Sequence, residues 1–382
     1  MIIDIVNSNK LDAFLINIMD RIKNIKKQNF KLVSDISCEK FIKNNNYDSL
    51  YDFLYNENKN KNKYSNIKKN INTNYLSKYC NIKKYILNND FISPNISKKI
   101  LIDFTNLSIY ESDNKDIKLY YFKENKDQSA IHNKIINNVF NIINILKKLT
   151  NNLKISNIII FPTLFKKEIP KKYKPLGPGE CNSGATFFKF SREQNGVVVI
   201  WRIEELYKVL IHELLHSFYC DFELIQNDIQ IYNKYYLNEV YVETLATLLN
   251  CIIKGIFNNK DIHYIKNLLV DEMNHSINQV CKIMLYYKIK KNNFYNYFIN
   301  HFEEKTNVFS YYVLKSSLLF ELPLFTDLID TNLKIININI EFFLNLVDRS
   351  FKSKKYKKIL FDCLNRYRIN DNSLRMTITD IN

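Results

Sequence analysis

The five residues His212-Glu213-Leu214-Leu215-His216 constrain this chain more than any other stretch, because they sit inside a helical repeat and set two histidines one turn apart. Across residues 202–218, Leu206, Leu210, Leu214 and Phe218 recur at helical spacing, and Ile203, Val209, Ile211 and Leu215 widen the stripe. A helix of this pattern buries one side. His212 and His216 lie off the centre of the stripe, on a face shared with Glu205, and can look into a cleft. Residues four apart rise about 6 Å along the axis and share a face. Their imidazoles are then placed to serve one tetrahedral zinc. Glu213 is turned about 100° from His212, close enough to act on a water beside the metal without ligating it. The chemistry this pattern implies is metal-assisted hydrolysis, most often of a peptide bond. Two histidines capping a core helix without a metal is the plainer alternative. It loses weight because the chain has 6 His in 382 residues, and a third of them fall in this stretch.

A catalytic zinc needs a third protein ligand and one open position. Residues 236–249 again have helical spacing, with Val242, Leu245, Leu248, Leu249 and Ile252 apolar, and Glu239 and Glu243 share one face. Two carboxylates inside an apolar helix are costly to bury unless they meet cations or donors. One of them can bind the metal while the other accepts the far N–H of a ligating histidine. A solvated helix face is the alternative, and the apolar neighbours on both sides argue against it.

HELLH followed by Asn238-Glu239 and Glu243 resembles the gluzincin group of zinc metallopeptidases, of which thermolysin is the familiar member. The resemblance covers residues 182–250. It implies a Zn²⁺ held by His212, His216 and Glu239, with Glu213 as general base and Glu243 behind a ligating histidine. Asn238 before Glu239 favours Glu239 over Glu243 as the third ligand. A composition rich in Asn, Ile, Lys and Tyr, together with HELLH, is similar to metallopeptidases of large DNA viruses. Gluzincins take an oxyanion donor, Tyr or His, from the C-terminal lobe. Candidates are Tyr311, Tyr312, His263, His275 and His301, with the Tyr311-Tyr312 pair preferred although aromatics at such positions are more often core.

The sequence upstream supports a built cleft. Of 5 Gly, Gly177, Gly179, Gly184 and Gly196 fall within twenty residues, and Pro162, Pro170, Pro175 and Pro178 crowd the same region. Asn195-Gly196 separates residues 185–190 from 197–201, which reads as a hairpin with a type I′ turn. In gluzincins the strand before the zinc helix is the edge along which extended substrate lies, and edge pairing is a general mode of peptide recognition. Asn182 and the backbone at Gly184, Ala185 and Thr186 are therefore expected to contact substrate; a purely structural loop and hairpin is the alternative. Cys181 reads as a free buried cysteine in preference to a thiolate inhibitor of the zinc or a redox switch. The 7 cysteines lack CxxC spacing, and their odd number points to a reducing compartment rather than a disulfide scaffold.

The whole chain sets wider bounds. With 46% hydrophobic residues it can bury a sizeable core. It has no run of eighteen apolar residues, so no membrane span is expected, and its start, with Asp4 and Asn7 breaking the apolar run, is not a signal peptide. Intracellular placement follows, in host cytoplasm or virion for a viral protein. The net charge of +16 attracts polyanions, but lysine clusters such as Lys171-Lys172 and residues 352–358 are better explained as a Lys-rich surface than as a nucleic-acid site.

Segments read in order give residues 1–95 as a mostly helical Asn/Lys-rich region, with helices at 11–25 and 47–55 and a loop at 56–74. Residues 96–260 read as the catalytic lobe, with strands at 118–123 and 155–161 flanking a helix at 130–149. Residues 261–382 read as a helical lobe, with helices at 262–289, 294–302, 308–319, 338–347 and 357–367 and a last dozen residues that fray. The expected fold class is α+β: a small mixed sheet with an edge hairpin packed on the zinc helix, a helical C-terminal lobe and a helical N-terminal extension. The function expected is a zinc metallopeptidase acting on protein or peptide substrates. The rival readings are a basic virion or nucleic-acid-associated protein whose zinc site is structural or vestigial, its fourth position closed for instance by Cys181, and a zinc hydrolase of another amide.

Overall fold

The computed structural model describes residues 2–26, 28–37, 90–104, 106–123, 129–187, 195–335, 339–367 and 371–381. The helix expected at 47–55, the loop at 56–74 and the end of the hairpin strand at 188–190 lie outside the described residues. In chain order the main elements are α1 (Ile2–Val6), α2 (Asn9–Lys23), β1 (Phe30–Ser37), α3 (Pro94–Asp103), β2 (Asn106–Ser112), β3 (Ile117–Lys123), α4 (Ser129–Leu149), β4 (Ser156–Ile160), β5 (Gly184–Phe187), β6 (Val197–Ile200) and α5 (Leu206–Ser217). There follow a short hairpin of β7 (Gln230–Ile231) and β8 (Tyr235–Tyr236), then α6 (Leu237–Phe257), α7 (Ile262–Tyr286), α8 (Ile340–Lys352) and α9 (Lys354–Arg366). The fold is α+β.

Six strands form one mixed sheet in the order β1-β2-β3-β4-β6-β5. β3, β4 and β6 run parallel, and the outer pairs are antiparallel. The long helix α4 connects β3 to β4, as a parallel pair requires. Alternation along the strands sorts side chains onto two faces. Leu119, Tyr121, Ile158, Ile160, Val198 and Ile200 join the main core with α2, α4, α5 and the later helices. Tyr120, Phe122, Ile159, Phe161, Val199 and Trp201 pack with α3 on the other face. The main core runs from Leu11 and Leu15 through Leu245 to Met273 and Leu374, so it is continuous across residues 95 and 260.

Three expectations are corrected. Residues 30–37, inside the segment read as mostly helical and assigned no element, are a strand: β1 pairs with β2 and widens the sheet. Asn195-Gly196 is not a type I′ turn, because neither residue has a positive φ and the β5–β6 register begins at Phe187 opposite Val197, leaving a long connection. Asn195 is instead buried, its amide donating to Asn152 Oδ1 at 3.1 Å and Ser156 Oγ at 3.2 Å. The last residues do not fray. Residues 371–381 form a strap whose Leu374, Met376, Thr377, Thr379 and Ile381 are buried, held by Glu272 Oε1, which accepts from Thr379 N at 2.8 Å.

The helix α6 is, among the described residues, long and apolar enough to cross a membrane, and most of it lies buried inside the protein. It is the central core helix beside α5. Gly255 sets its distance from α7, since a Cβ there would stand 2.5 Å from Ile265 Cγ1.

Candidate metal centre

The helix α5 is enclosed on nearly every side, by α4, α6, β5 and β6, so its apolar stripe and its polar face are both buried. Burial fixes the two imidazoles. His212 Nε2 and His216 Nε2 lie 3.2 Å apart, and Glu239 Oε2, from the first turn of α6, stands 3.5 Å from each. These three atoms form a group close enough to hold a metal ion. Glu239 Oε2 is buried with no hydrogen-bond partner among the described residues, which leaves a carboxylate oxygen that a cation at this point would satisfy.

The other nitrogen of each imidazole is also held. Glu243 Oε2 lies 2.9 Å from His212 Nδ1, so the two glutamates of α6 divide the roles: Glu239 meets the converging nitrogens and Glu243 stands behind. Lys208 Nζ donates to the remaining oxygen of Glu243, and Lys315 Nζ lies 3.8 Å from it. Behind His216 stands Asp221, whose Oδ2 is 2.6 Å from Nδ1. Sequence reading missed Asp221. It arrives there because α5 ends in a left-handed residue, Tyr219 (φ 58°), with Cys220 N donating to Leu215 O and Tyr219 N to His216 O. This is the Schellman reversal, usually signalled by glycine; a tyrosine in its place gave no sign.

Charge is concentrated here. The two imidazoles face Glu213, Glu239, Glu243 and Asp221. Burial disfavours a protonated imidazole, yet Asp221 and Glu239 outweigh it and hold His216 well above the ordinary range. Burial likewise opposes ionisation of Glu239, and His216 and His212 outweigh it, keeping Glu239 below the usual carboxylate range. The pocket therefore favours positive charge between its ligands. Asp221→Asn is expected to weaken metal binding about 10–100-fold, the usual effect of losing a partner behind a ligating histidine. Metal titration by competition with a chromophoric chelator checks it.

Glu213 points the other way, towards β5. Thr186 Oγ1 stands 2.8 Å from Glu213 Oε2 and 2.8 Å from its backbone oxygen. Burial raises the Glu213 carboxyl above its ordinary value, and the neighbouring histidines and Thr186 only partly offset this. Gly184 is needed for the close approach: a Cβ there would lie 2.8 Å from Val209 Cγ1 and 2.9 Å from Glu213 Cγ. A small half-open cavity beside Glu213 is bordered by Asn182, Ser183, Gly184, Val209, Tyr311 and Met376.

Among the described residues, the strand β5 is the edge of the sheet. Trp201 N donates to Ser183 O at 2.9 Å, which makes Ser183 and Trp201 a hydrogen-bonded pair. By antiparallel alternation the backbone groups of Gly184 and Thr186 turn outward to the edge, while Ala185 is bonded inward to β6. The Ala185 side chain packs in the core on the far face. Ala185 thus offers neither backbone nor side chain to the open edge. Asn182 borders the cavity, but its side chain is anchored: Thr306 Oγ1 donates to Asn182 Oδ1 at 2.9 Å, and Asn182 Nδ2 reaches Phe91 O at 3.4 Å.

Of the two tyrosines, Tyr311 reaches the site. Its ring meets the His212 ring edge-on, with centroids 6.0 Å apart, and burial beside Glu239 and Glu213 keeps its phenol protonated. Tyr312 does not: its hydroxyl donates to Leu374 O of the strap at 2.6 Å. Among the histidines considered, His275 Nε2 is bonded to Arg375 O at 2.9 Å, and His263 and His301 are exposed. Tyr311 lies in a π-helical turn, Phe309–Leu314, a local widening often found at functional sites.

An uncharacterized protein, R210, of Acanthamoeba polyphaga mimivirus is 25% identical to this chain over 165 residues, covering 40% of this chain and 43% of that protein. The match therefore spans less than half of the viral relative. No known family matches the chain, and no solved structure matches it.

Proposed function

We propose that this protein is a zinc-dependent metallopeptidase. The observation that carries the reading is the convergence of His212 Nε2, His216 Nε2 and Glu239 Oε2 on one point, with Glu213 and His212 lining one cavity. At spacings of 3.2 and 3.5 Å an ion could lie about 2.0–2.1 Å from all three, which would suit zinc bonds to histidine and carboxylate. Three protein ligands leave a fourth position for water or substrate. Cys181, which could close that position, is not one of the converging groups. Zinc held there supplies a Lewis acid that activates water near neutral pH and polarises a carbonyl.

The chain's own residues do the rest. Glu213, held by Thr186, takes the proton of the attacking water and passes it to the leaving amine. Tyr311, a neutral phenol, donates to the carbonyl oxygen as negative charge develops on it. An extended peptide lies along β5, pairing with the outward backbone groups of Gly184 and Thr186. This edge supports a peptide over other amides as substrate.

Purified protein is expected to hold a single zinc per chain and to cleave peptides in a mixed fluorogenic library. 1,10-Phenanthroline should abolish cleavage and added zinc should restore it. Cleavage that survives full removal of metal, or metal-loaded protein that cleaves nothing in the library, counts against a peptidase.

A further inference from the structure

Away from the metal centre, two cysteines meet across a helix pair. Cys281 on α7 is fully buried, and Cys363 on α9 is half-buried. Their contacts are reciprocal. Cys281 Sγ lies 3.8 Å from Leu360 O, one turn before Cys363, and Cys363 Sγ lies 3.2 Å from Asn278 Oδ1, one turn before Cys281. Each cysteine therefore sits on the face of its helix that the other presses against. The other described cysteines, Cys181, Cys220 and Cys251, are buried and are not part of this pair.

We propose that Cys281 and Cys363 are a dithiol modification site that a hydroperoxide oxidises to an intramolecular disulfide. The roles differ by position. Cys363, the more accessible, is the attacking sulfur and Cys281 the resolving one. In the first step the Cys363 thiolate attacks the outer peroxide oxygen and breaks the O–O bond. Cys363 becomes a sulfenic acid, and the other oxygen leaves as water or alcohol once protonated. In the second step the Cys281 sulfur attacks the Cys363 sulfur and displaces hydroxide, which leaves as water with the Cys281 proton. The two thiols lose two electrons and the peroxide gains them.

The cross-link closes at the root of the strap behind the metal centre. Lys282, next to Cys281, holds Asp371 Oδ1 at 2.6 Å and Ser373 O at 2.8 Å, and Met376 further along borders the cavity beside Glu213. Oxidation thus ties α9, which leads into the strap, to α7, and restricts the unfolded chain.

The test uses full-length protein treated with a few equivalents of hydrogen peroxide, blocked with N-ethylmaleimide and peptide-mapped without reduction. The expected result is a monomer in which the Cys281 and Cys363 peptides are joined, lighter by two hydrogens. Its melting temperature should rise by several degrees, and dithiothreitol should reverse both changes. In Cys281→Ser, Cys363 should remain a sulfenic acid and take up several-fold more dimedone than in the wild type. The proposal is overturned if Cys363 oxidises without a joined peptide, if the joined peptides come from separate molecules, or if dimedone labelling is equal in the two proteins. Should Cys281→Ser fail to fold, the wild-type map decides by itself.

Discussion

Glu213→Gln is expected to lower kcat for peptide hydrolysis about 10²–10⁴-fold, the range that a positioned general base contributes, while the protein keeps its zinc. The amide has the shape of the carboxylate, so Gly184 and Val209, which leave no room for anything larger, accommodate it unchanged. Thr186 Oγ1 can still donate to the amide oxygen. What the amide cannot do is accept a proton from water. None of the three converging atoms belongs to Glu213, so metal content should stay at the wild-type level and KM should move little. Elemental analysis alongside steady-state kinetics reads both quantities on one preparation. A Gln variant as fast as the wild type would sink the assignment of Glu213 as base.

Glu239→Ala is expected to empty the site of zinc under conditions where the wild type is fully loaded. Its Oε2 lies 3.5 Å from both Nε2 atoms and has no other described partner, so removal takes away a ligand. Glu243→Gln makes the contrast. Glu243 meets His212 only at Nδ1, and a glutamine oxygen can still accept there. Its loss of charge should cost about 10–100-fold in zinc affinity, as for other partners behind a ligand, and less than Glu239→Ala. Circular dichroism guards against misfolding, which matters for Glu243 because Lys208 and Lys315 are buried against it. The reverse order of affinities would make Glu243 the ligand.

Much of the scaffold was legible in the residues. The helical repeats of α5 and α6, and the succession of β3, α4 and β4, follow hydrophobic periodicity, because each element buries one face against the same core. β1 and β2 were not read. Their residues carry no strong alternation and lie among Asn and Lys; β2 is made a strand by its hairpin with β3, and β1 by pairing with β2, a contact distant in sequence. The strap at 371–381 looks polar and loose, yet its backbone and hydroxyl groups are taken up by Glu205, Glu272 and Lys315, residues far away in the chain. Tyr311 and Tyr312 could not be separated by spacing, since a π-helical turn shifts the angular register that an α-helical reading assumes.

The sequence by itself determined the metal-binding vocabulary: two histidines one turn apart, a glutamate between them, and two further glutamates on a second helix. Local periodicity suffices for that, because residues four apart on a helix share a face wherever the helix goes. Only the tertiary structure decided that Glu239 meets the converging nitrogens while Glu243 backs His212, that Asp221 backs His216, and that Tyr311 rather than Tyr312 faces the site. These assignments depend on how α6, the turn after α5 and a distant π-helical turn pack around α5. Packing is set by contacts between residues remote in sequence, which spacing along the chain does not encode.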